Sequence, residues 1–336
     1  MTSLVTGGGG FVGRQVVALL AARGEPVRVL DLDPPADLPA GVEAVRGSVT
    51  DPDTVRSAMA GVDTVYHLAA NPHLWARDPG VFDRVNHGGT RVVLAEAERT
   101  AVAKLVYTSS LTTLIGRRTL AAEVPLDEDV TVPPDDLLGP YPRSKALAER
   151  AVLDAARRGL PAVVVLPTMP VGPGDRSLTP PTRMILDFVN GAAPAYLECT
   201  LNLIDVRHLA AAHLVAAEHG RPGERYLLGN ANLWMSAFLA LLEEVSGVPM
   251  PRRRVPYRVA LAAAQAGEWA AGHLTGKPPQ APLTGVRLAG RPAFFDSTKA
   301  VRELGLRQAP LHRTLHDQLL WLRDQGLLKR ALPAIG

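Results

Sequence analysis

Short apolar runs alternate with stretches of helical periodicity through the first half of the chain. Residues 3–6, 27–30 (ending at Asp31), 42–46, 64–68, 105–108 and 162–166 are brief, largely apolar and bounded by turn formers, which predicts strands. Residues 11–23, 81–99 and 143–158 carry apolar positions at helical spacing. Strands that alternate with helices imply βαβ units, and so a doubly wound parallel sheet with helices on both faces. After Pro167 the pattern changes. Proline and glycine crowd residues 167–181, and helices then dominate, with short strands such as 225–228. The expected organisation is a first domain over residues 1–170 and a smaller α/β lobe over 171–336, some of whose segments return to the first sheet. Residues 259–273 form the most apolar later stretch. With Arg258 and Glu268 at its edge and interior, and too short to span a bilayer, it reads as an alanine-rich buried helix in preference to a membrane-surface patch.

Composition narrows the function classes. The 336 residues suffice for one large or two modest cores, and a 47% hydrophobic content is that of an ordinary globular protein. The 36 basic and 33 acidic side chains are interspersed and leave a net charge of only +3. No basic surface is interleaved with aromatics, which speaks against nucleic acid. Cys199 is the single cysteine, so there is no disulfide framework, and one thiol does not build a metal site. Cys199 is read as packing. The chain starts directly on an apolar strand, which predicts no signal peptide and a cytoplasmic protein.

Three features carry chemistry. Gly7, Gly10 and Gly13 follow a strand and open a helix. Such glycines permit a tight turn and close approach of a pyrophosphate, while the helix N-terminus supplies donors. Asp31 closes the next strand, where a carboxylate receives the adenosine ribose hydroxyls and repels a 2′-phosphate. NAD is therefore favoured over NADP. Thr108-Ser109-Ser110 ends a strand on the same sheet edge and offers a hydroxyl to a substrate oxygen. Tyr141 and Lys145 stand at i and i+4 of an expected helix, sharing a face on which the ammonium would lower the phenol pKa. Pro142 disfavours a helical backbone at the residue before it but is accepted in a first turn, so Tyr141 is placed at the start of the helix.

The segments Thr6-Gly-Gly-Gly-Gly10-Phe-Val-Gly13, His67-Leu-Ala-Ala70, Asn86-His-Gly-Gly-Thr90, Tyr107-Thr-Ser-Ser110 and Tyr141-Pro-Arg-Ser-Lys145 together resemble the extended short-chain dehydrogenases/reductases of the NAD-dependent epimerase/dehydratase type. Within that family the chain is similar to hopanoid-associated sugar epimerases and to dihydroflavonol reductase-like proteins. The resemblance implies a Rossmann domain, bound NAD and a homodimer that takes a small-molecule substrate. It makes Tyr141 the catalytic acid/base, Lys145 the ligand of the nicotinamide ribose, and Ser110, with Ser109 as fallback, the holder of the reacting oxygen. Cofactor contacts would come from Gly7, Gly10, Phe11, Val12, Asp31, Ser48, Val49, Leu68, Ala69, Ala70, Asn86, Thr108, Tyr141, Lys145 and Pro167. Asn86 would also pin the sheet behind the groove, and His67 would be a packed strand residue.

The chain also departs from the family pattern. Ser48 replaces an aspartate usual beside the adenine, and Leu201 falls where nucleotide-sugar epimerases carry a phosphate-binding arginine. Asp205 and His208 look like exchanged polar partners. Tyr196, Asp205 and Arg287 are the expected substrate wall, with Arg183 or Arg291 as other cations. Leu111 and Thr112 follow Ser110, so dehydration lacks its usual acid. The expected function is an NAD-dependent epimerase or oxidoreductase acting on a secondary alcohol or ketone of a sugar-like substrate. The alternatives are a ketone reductase of a lipid or secondary metabolite, and a non-catalytic NAD-binding regulator.

Overall fold

A computed structural model describes residues 1–119 and 124–335. The first half builds strands β1 (Ser3–Thr6), β2 (Val27–Asp31), β3 (Glu43–Arg46), β4 (Thr64–His67), β5 (Lys104–Thr108) and β6 (Ala162–Pro167). Its helices are α1 (Phe11–Ala22), α2 (Pro52–Met59), α3 (Gly80–Phe82), α4 (Gly89–Thr100) and α5 (Pro140–Arg157). Later come β7 (Met169–Val171), α6 (Pro180–Val189), β8 (Thr200–Asp205), α7 (Val206–His219), β9 (Arg225–Leu228), β10 (Ala231–Trp234) and α8 (Met235–Ser246). The chain closes with α9 (Tyr257–Ala270), α10 (Leu283–Ala289), α11 (Thr298–Leu304) and α12 (Leu311–Asp324).

The main sheet has seven strands in the order β3-β2-β1-β4-β5-β6-β9, and every neighbouring pair is parallel. Strand alternation splits its side chains between two apolar layers. Leu4, Leu30, Val65, Leu105 and Val164 face the side that carries α2, α4 and α5, while Val5, Val29, Val106 and Val165 face α1 and α7. The order reverses next to β1, which places the loops after β1, β4 and β5 around one crevice at the carboxyl ends of the strands. β9 comes from beyond residue 170 and pairs with β6, Val164 opposite Arg225 through Pro167 opposite Leu228.

The remaining segments form a smaller sheet, β10-β8-β7, whose cluster of Ile185, Tyr196, Leu201, Phe238, Leu315 and neighbours is separate from the two main layers. Cys199 packs there, and burial pushes its thiol up to about 12. The helix expected over residues 81–99 is longer and irregular: between α3 and α4 the residues Asp83–Gly88 wind as a π-helical stretch.

The expected buried helix at residues 259–273 is corrected. Helix α9 occupies most of that stretch, but Ala264 is its only fully buried residue. Val259 is 57% exposed and Trp269 59%. Alanine periodicity alone does not distinguish a face turned inward from one turned to water.

Candidate active site

Strand β1 runs into Gly7, whose φ of +71° lies in the region that favours glycine. A Cβ there would stand 2.8 Å from the Ala69 backbone, and one on Gly13 would stand 2.1 Å from the Gly7 carbonyl oxygen. The two glycines thus let the loop lie against the residues after β4 and let α1 begin close to the sheet. Phe11 is buried at the head of α1, and Val12 is half-buried behind it. Asp31 Oδ2 accepts from the Gly9 N–H at 2.9 Å, which holds the carboxylate beside the loop and leaves it partly exposed.

Leu68, Ala69 and Ala70 follow β4 and are partly exposed. Behind them His67 is sealed between two hydroxyls, Thr6 Oγ1 at 2.7 Å from Nδ1 and Thr90 Oγ1 at 2.9 Å from Nε2. Burial, with a contribution from Lys145, lowers its pKa to about 3, so the ring is neutral. Asn86 sits in the π-helical stretch. Both of its amide protons are used, toward the Asn71 carbonyl at 3.2 Å and Ser144 Oγ at 3.0 Å, and its oxygen accepts from the Asn71 N–H at 2.7 Å. Its side chain is therefore a clasp between the loop after β4 and α5, with no donor left for a cofactor. Ser48 Oγ is engaged with Thr50 at 2.7 Å, and Val49 packs where α4 begins, 2.7 Å from the Cβ position of Gly89.

Helix α5 begins one residue before Tyr141. Gly139 precedes it at φ +155°, and Pro140 and Pro142 both fall in the first turn, where backbone N–H groups have no intrahelical acceptor. Tyr141 is therefore already helical, and Lys145 follows one turn later, 3% exposed. The Tyr141 ring meets Phe82 edge-on at 6.3 Å between centroids. Desolvation raises its pKa above the usual phenol value, while a hydrogen bond with Ser110 works in the opposite direction.

The expected effect of Lys145 on that pKa is not seen. The Lys145 ammonium donates to the Thr108 carbonyl at 2.5 Å and lies 4.6 Å from the centre of the Tyr107 ring. Burial lowers the Lys145 pKa to about 7, opposed by the Glu149 carboxylate. Glu149 lies a further turn along α5 and had no part in the sequence reading. It accepts from Ser109 at 2.5 Å and Thr113 at 3.2 Å, and lies 2.8 Å from Arg225 Nε. The i+4 step from Lys145 was the signal that could have found it. Ser110 caps the short helix Leu111–Leu114 by accepting from Thr112 N and Oγ1, which leaves its own proton to point toward Tyr141. Thr108 Oγ1 is held 3.0 Å from His213 Nε2, and Pro167 is buried at the end of β6.

Two polar groups of the expected substrate wall are already engaged within the protein. Asp205 is 1% exposed and receives Arg207 N, Nε and an Nη as well as Thr314 Oγ1. These contacts hold its carboxyl below the usual range despite burial. It caps α7 and is a structural ion pair; it pairs with Arg207 and not, as an exchanged partner, with His208. Tyr196 is buried, its hydroxyl accepting from Arg254 Nε at 3.0 Å. Leu201 lies in the apolar cluster of the smaller sheet. Arg287, on α10, is exposed, as are Arg183 and Arg291.

A profile of the NAD dependent epimerase/dehydratase family matches residues 3–229. The chain belongs to that family. This family member is 36% identical over 338 residues to a Synechocystis protein provisionally named a dihydroflavonol 4-reductase, with 97% of this chain and 95% of that protein covered. It is 33% identical to a 4-hydroxy-2-methyl-3-oxo-4-farnesyl-3,4-dihydroquinoline-1-oxide ketoreductase of Stigmatella aurantiaca, covering 95% of this chain and 96% of that one. Among solved structures, gox2253 superposes with a TM-score of 0.84 at 35% identity over 98% of this chain and 99% of its own. The Thermus thermophilus UDP-glucose 4-epimerase, solved with NAD, shares the fold at a TM-score of 0.77 and 22% identity, covering 96% and 99%. The enzyme is thus an extended short-chain dehydrogenase/reductase whose family cofactor is NAD, and the glycine cradle and the Asp31 carboxylate fit a dinucleotide.

Proposed function

We propose that the enzyme interconverts a secondary alcohol and a ketone on an apolar molecule, with Ser110, Tyr141 and Lys145 as its working residues. The observation that carries this reading is the state of the smaller lobe's polar groups. Asp205 is closed by Arg207, the Tyr196 hydroxyl by Arg254, and Leu201 puts an aliphatic side chain where a sugar-nucleotide phosphate would need a cation. A nucleotide sugar brings charges that these residues do not answer. The reductase activities for which the dihydroflavonol and farnesyl-quinoline relatives are named support the same choice.

The glycine loop and the N-terminus of α1 would hold the pyrophosphate, and Asp31 the ribose hydroxyls. NAD, when bound, supplies the acceptor or donor of a hydride at the substrate carbon. The protein's part is positioning and proton transfer. Ser110 turns its hydroxyl proton toward Tyr141 and could give it to the reacting oxygen when substrate is bound. Tyr141, its pKa raised, is a neutral phenol at neutral pH and so stands ready to give its proton to that oxygen as a ketone is reduced. Lys145, held by the Thr108 carbonyl, would meet the nicotinamide ribose.

The test is NADH oxidation by purified enzyme against a panel of aryl and isoprenoid ketones and against UDP-sugars. Turnover with the apolar ketones, lost in Tyr141→Phe while NADH still quenches protein fluorescence, is the expected result. Epimerisation of a UDP-sugar without added cofactor would overturn it.

A further inference from the structure

Helix α9 shows water a face that a globular surface ordinarily hides. Val259, Ala262, Ala263, Ala266 and Trp269 recur at intervals of three and four, share one side of the helix, and are all exposed. Leu274, in the turn that follows, is 70% exposed. The opposite side is occupied: Ala264 is buried, and Glu268 accepts the Leu283 N–H that begins α10. The apolar face is therefore neither a packing seam nor the accident of one stray side chain.

Cations flank it along the chain. Arg253, Arg258 and Lys277 are exposed, and among the described residues their own side chains make no hydrogen bond or ion pair. Of the acids elsewhere in this lobe, Glu243 is paired with Arg252 and Glu198 with Arg254. An apolar strip with a tryptophan and flanking free cations is complementary to an anionic lipid surface. The aliphatic and indole groups enter the headgroup boundary and the cations meet phosphates. A second copy of the chain fits less well, because a two-fold contact centred on this helix would set the flanking cations against themselves.

We propose that the outer face of α9 seats the enzyme on an anionic lipid bilayer, with Trp269 in the interface and Arg258 and Lys277 against headgroup phosphates. No helix among the described residues is long and apolar enough to cross a membrane, so the contact is peripheral. The docked element is close to the chemistry. Tyr257 at its head lies against Gly290 after α10, and Thr284 of α10 lies against Gly139, next to the first turn that carries Tyr141. The proposal stands whichever alcohol the site takes.

The experiment is flotation of the full chain with vesicles of phosphatidylcholine alone or mixed with phosphatidylglycerol, at low and high salt. The wild type should float with the mixed vesicles only and be released by salt. Trp269→Glu should reduce the bound fraction more than roughly tenfold, and Arg258→Gln or Lys277→Gln roughly fivefold each. Because these side chains are exposed, melting temperature should not change, and Trp269→Phe should retain binding. Two results would overturn the proposal: no flotation of the wild type with anionic vesicles, or variants that float as it does. A solution dimer that Trp269→Glu dissociates would assign the face to a second copy and would likewise overturn it.

Discussion

The Ser109 hydroxyl donates to the Glu149 carboxylate at 2.5 Å, deep beneath the crevice, while the neighbouring Ser110 turns its hydroxyl toward Tyr141. Two adjacent serines thus point opposite ways, one fastening the end of strand β5 to helix α5 and the other facing Tyr141, as the proposed role requires.

That division predicts distinct phenotypes. Ser110→Ala should lower kcat roughly 100–1,000-fold, the usual scale for losing one donor to a reacting oxygen, and cost about 1 kcal/mol of stability with the lost helix cap. Ser109→Ala leaves a buried carboxylate oxygen short of a partner, at a cost of about 1–3 kcal/mol of stability, with the smaller effect on kcat. Steady-state kinetics and denaturant titration on both variants separate the outcomes.

Cofactor choice should rest on Asp31. Replacing it with serine removes the carboxylate that would repel a 2′-phosphate and accept ribose hydroxyls. NADH should bind about tenfold more weakly, and the preference over NADPH should shrink or reverse, as read by fluorescence titration with both.

Asp205→Asn tests the correction to the substrate wall. The substitution weakens a buried pair with Arg207 and should cost roughly 2–4 kcal/mol, discounted because Arg207 is itself partly exposed. KM for a ketone substrate should stay as it was. A raised KM with unchanged stability would return Asp205 to the substrate.

Acid should destabilise the fold through its histidines. Burial holds His213 near a pKa of about 4 and His67 near about 3, against an ordinary value of 6.5. Between those values and 6.5 the unfolded chain binds protons that the native state refuses. Stability is therefore full above 6.5 and falls as pH drops toward 4, by about 1–3 kcal/mol per histidine. His213→Gln should flatten the dependence of melting temperature on pH over that window.

Much of this was visible before any coordinates. Glycine spacing, the acid at the end of β2 and the alternation of strands and helices are local signals, and the elements they predicted exist with ends shifted by three residues or fewer, the one over residues 81–99 in broken form. The Tyr141 position followed from proline chemistry in the same local way. What stayed hidden depends on partners far along the chain. Within the π-helical stretch Asn86 reaches Asn71 and Ser144 together. The role of Asp205 is set by Arg207 and by Thr314, more than a hundred residues away. The outward face of α9 has the same periodicity as an inward one, and only the packing of α10 against the other side tells them apart.

The late arrival of β9 has a consequence for anyone dividing the chain. A fragment ending at residue 170 would retain every strand up to β6 but leave that strand, with its run of Val163, Val164 and Val165, as an unpaired margin. Such a margin is β-branched and uncharged, a template for adding strands from other molecules. The first domain is thus a unit of architecture but not of solubility: it becomes safe from aggregation only when the second half has passed through the smaller sheet and come back.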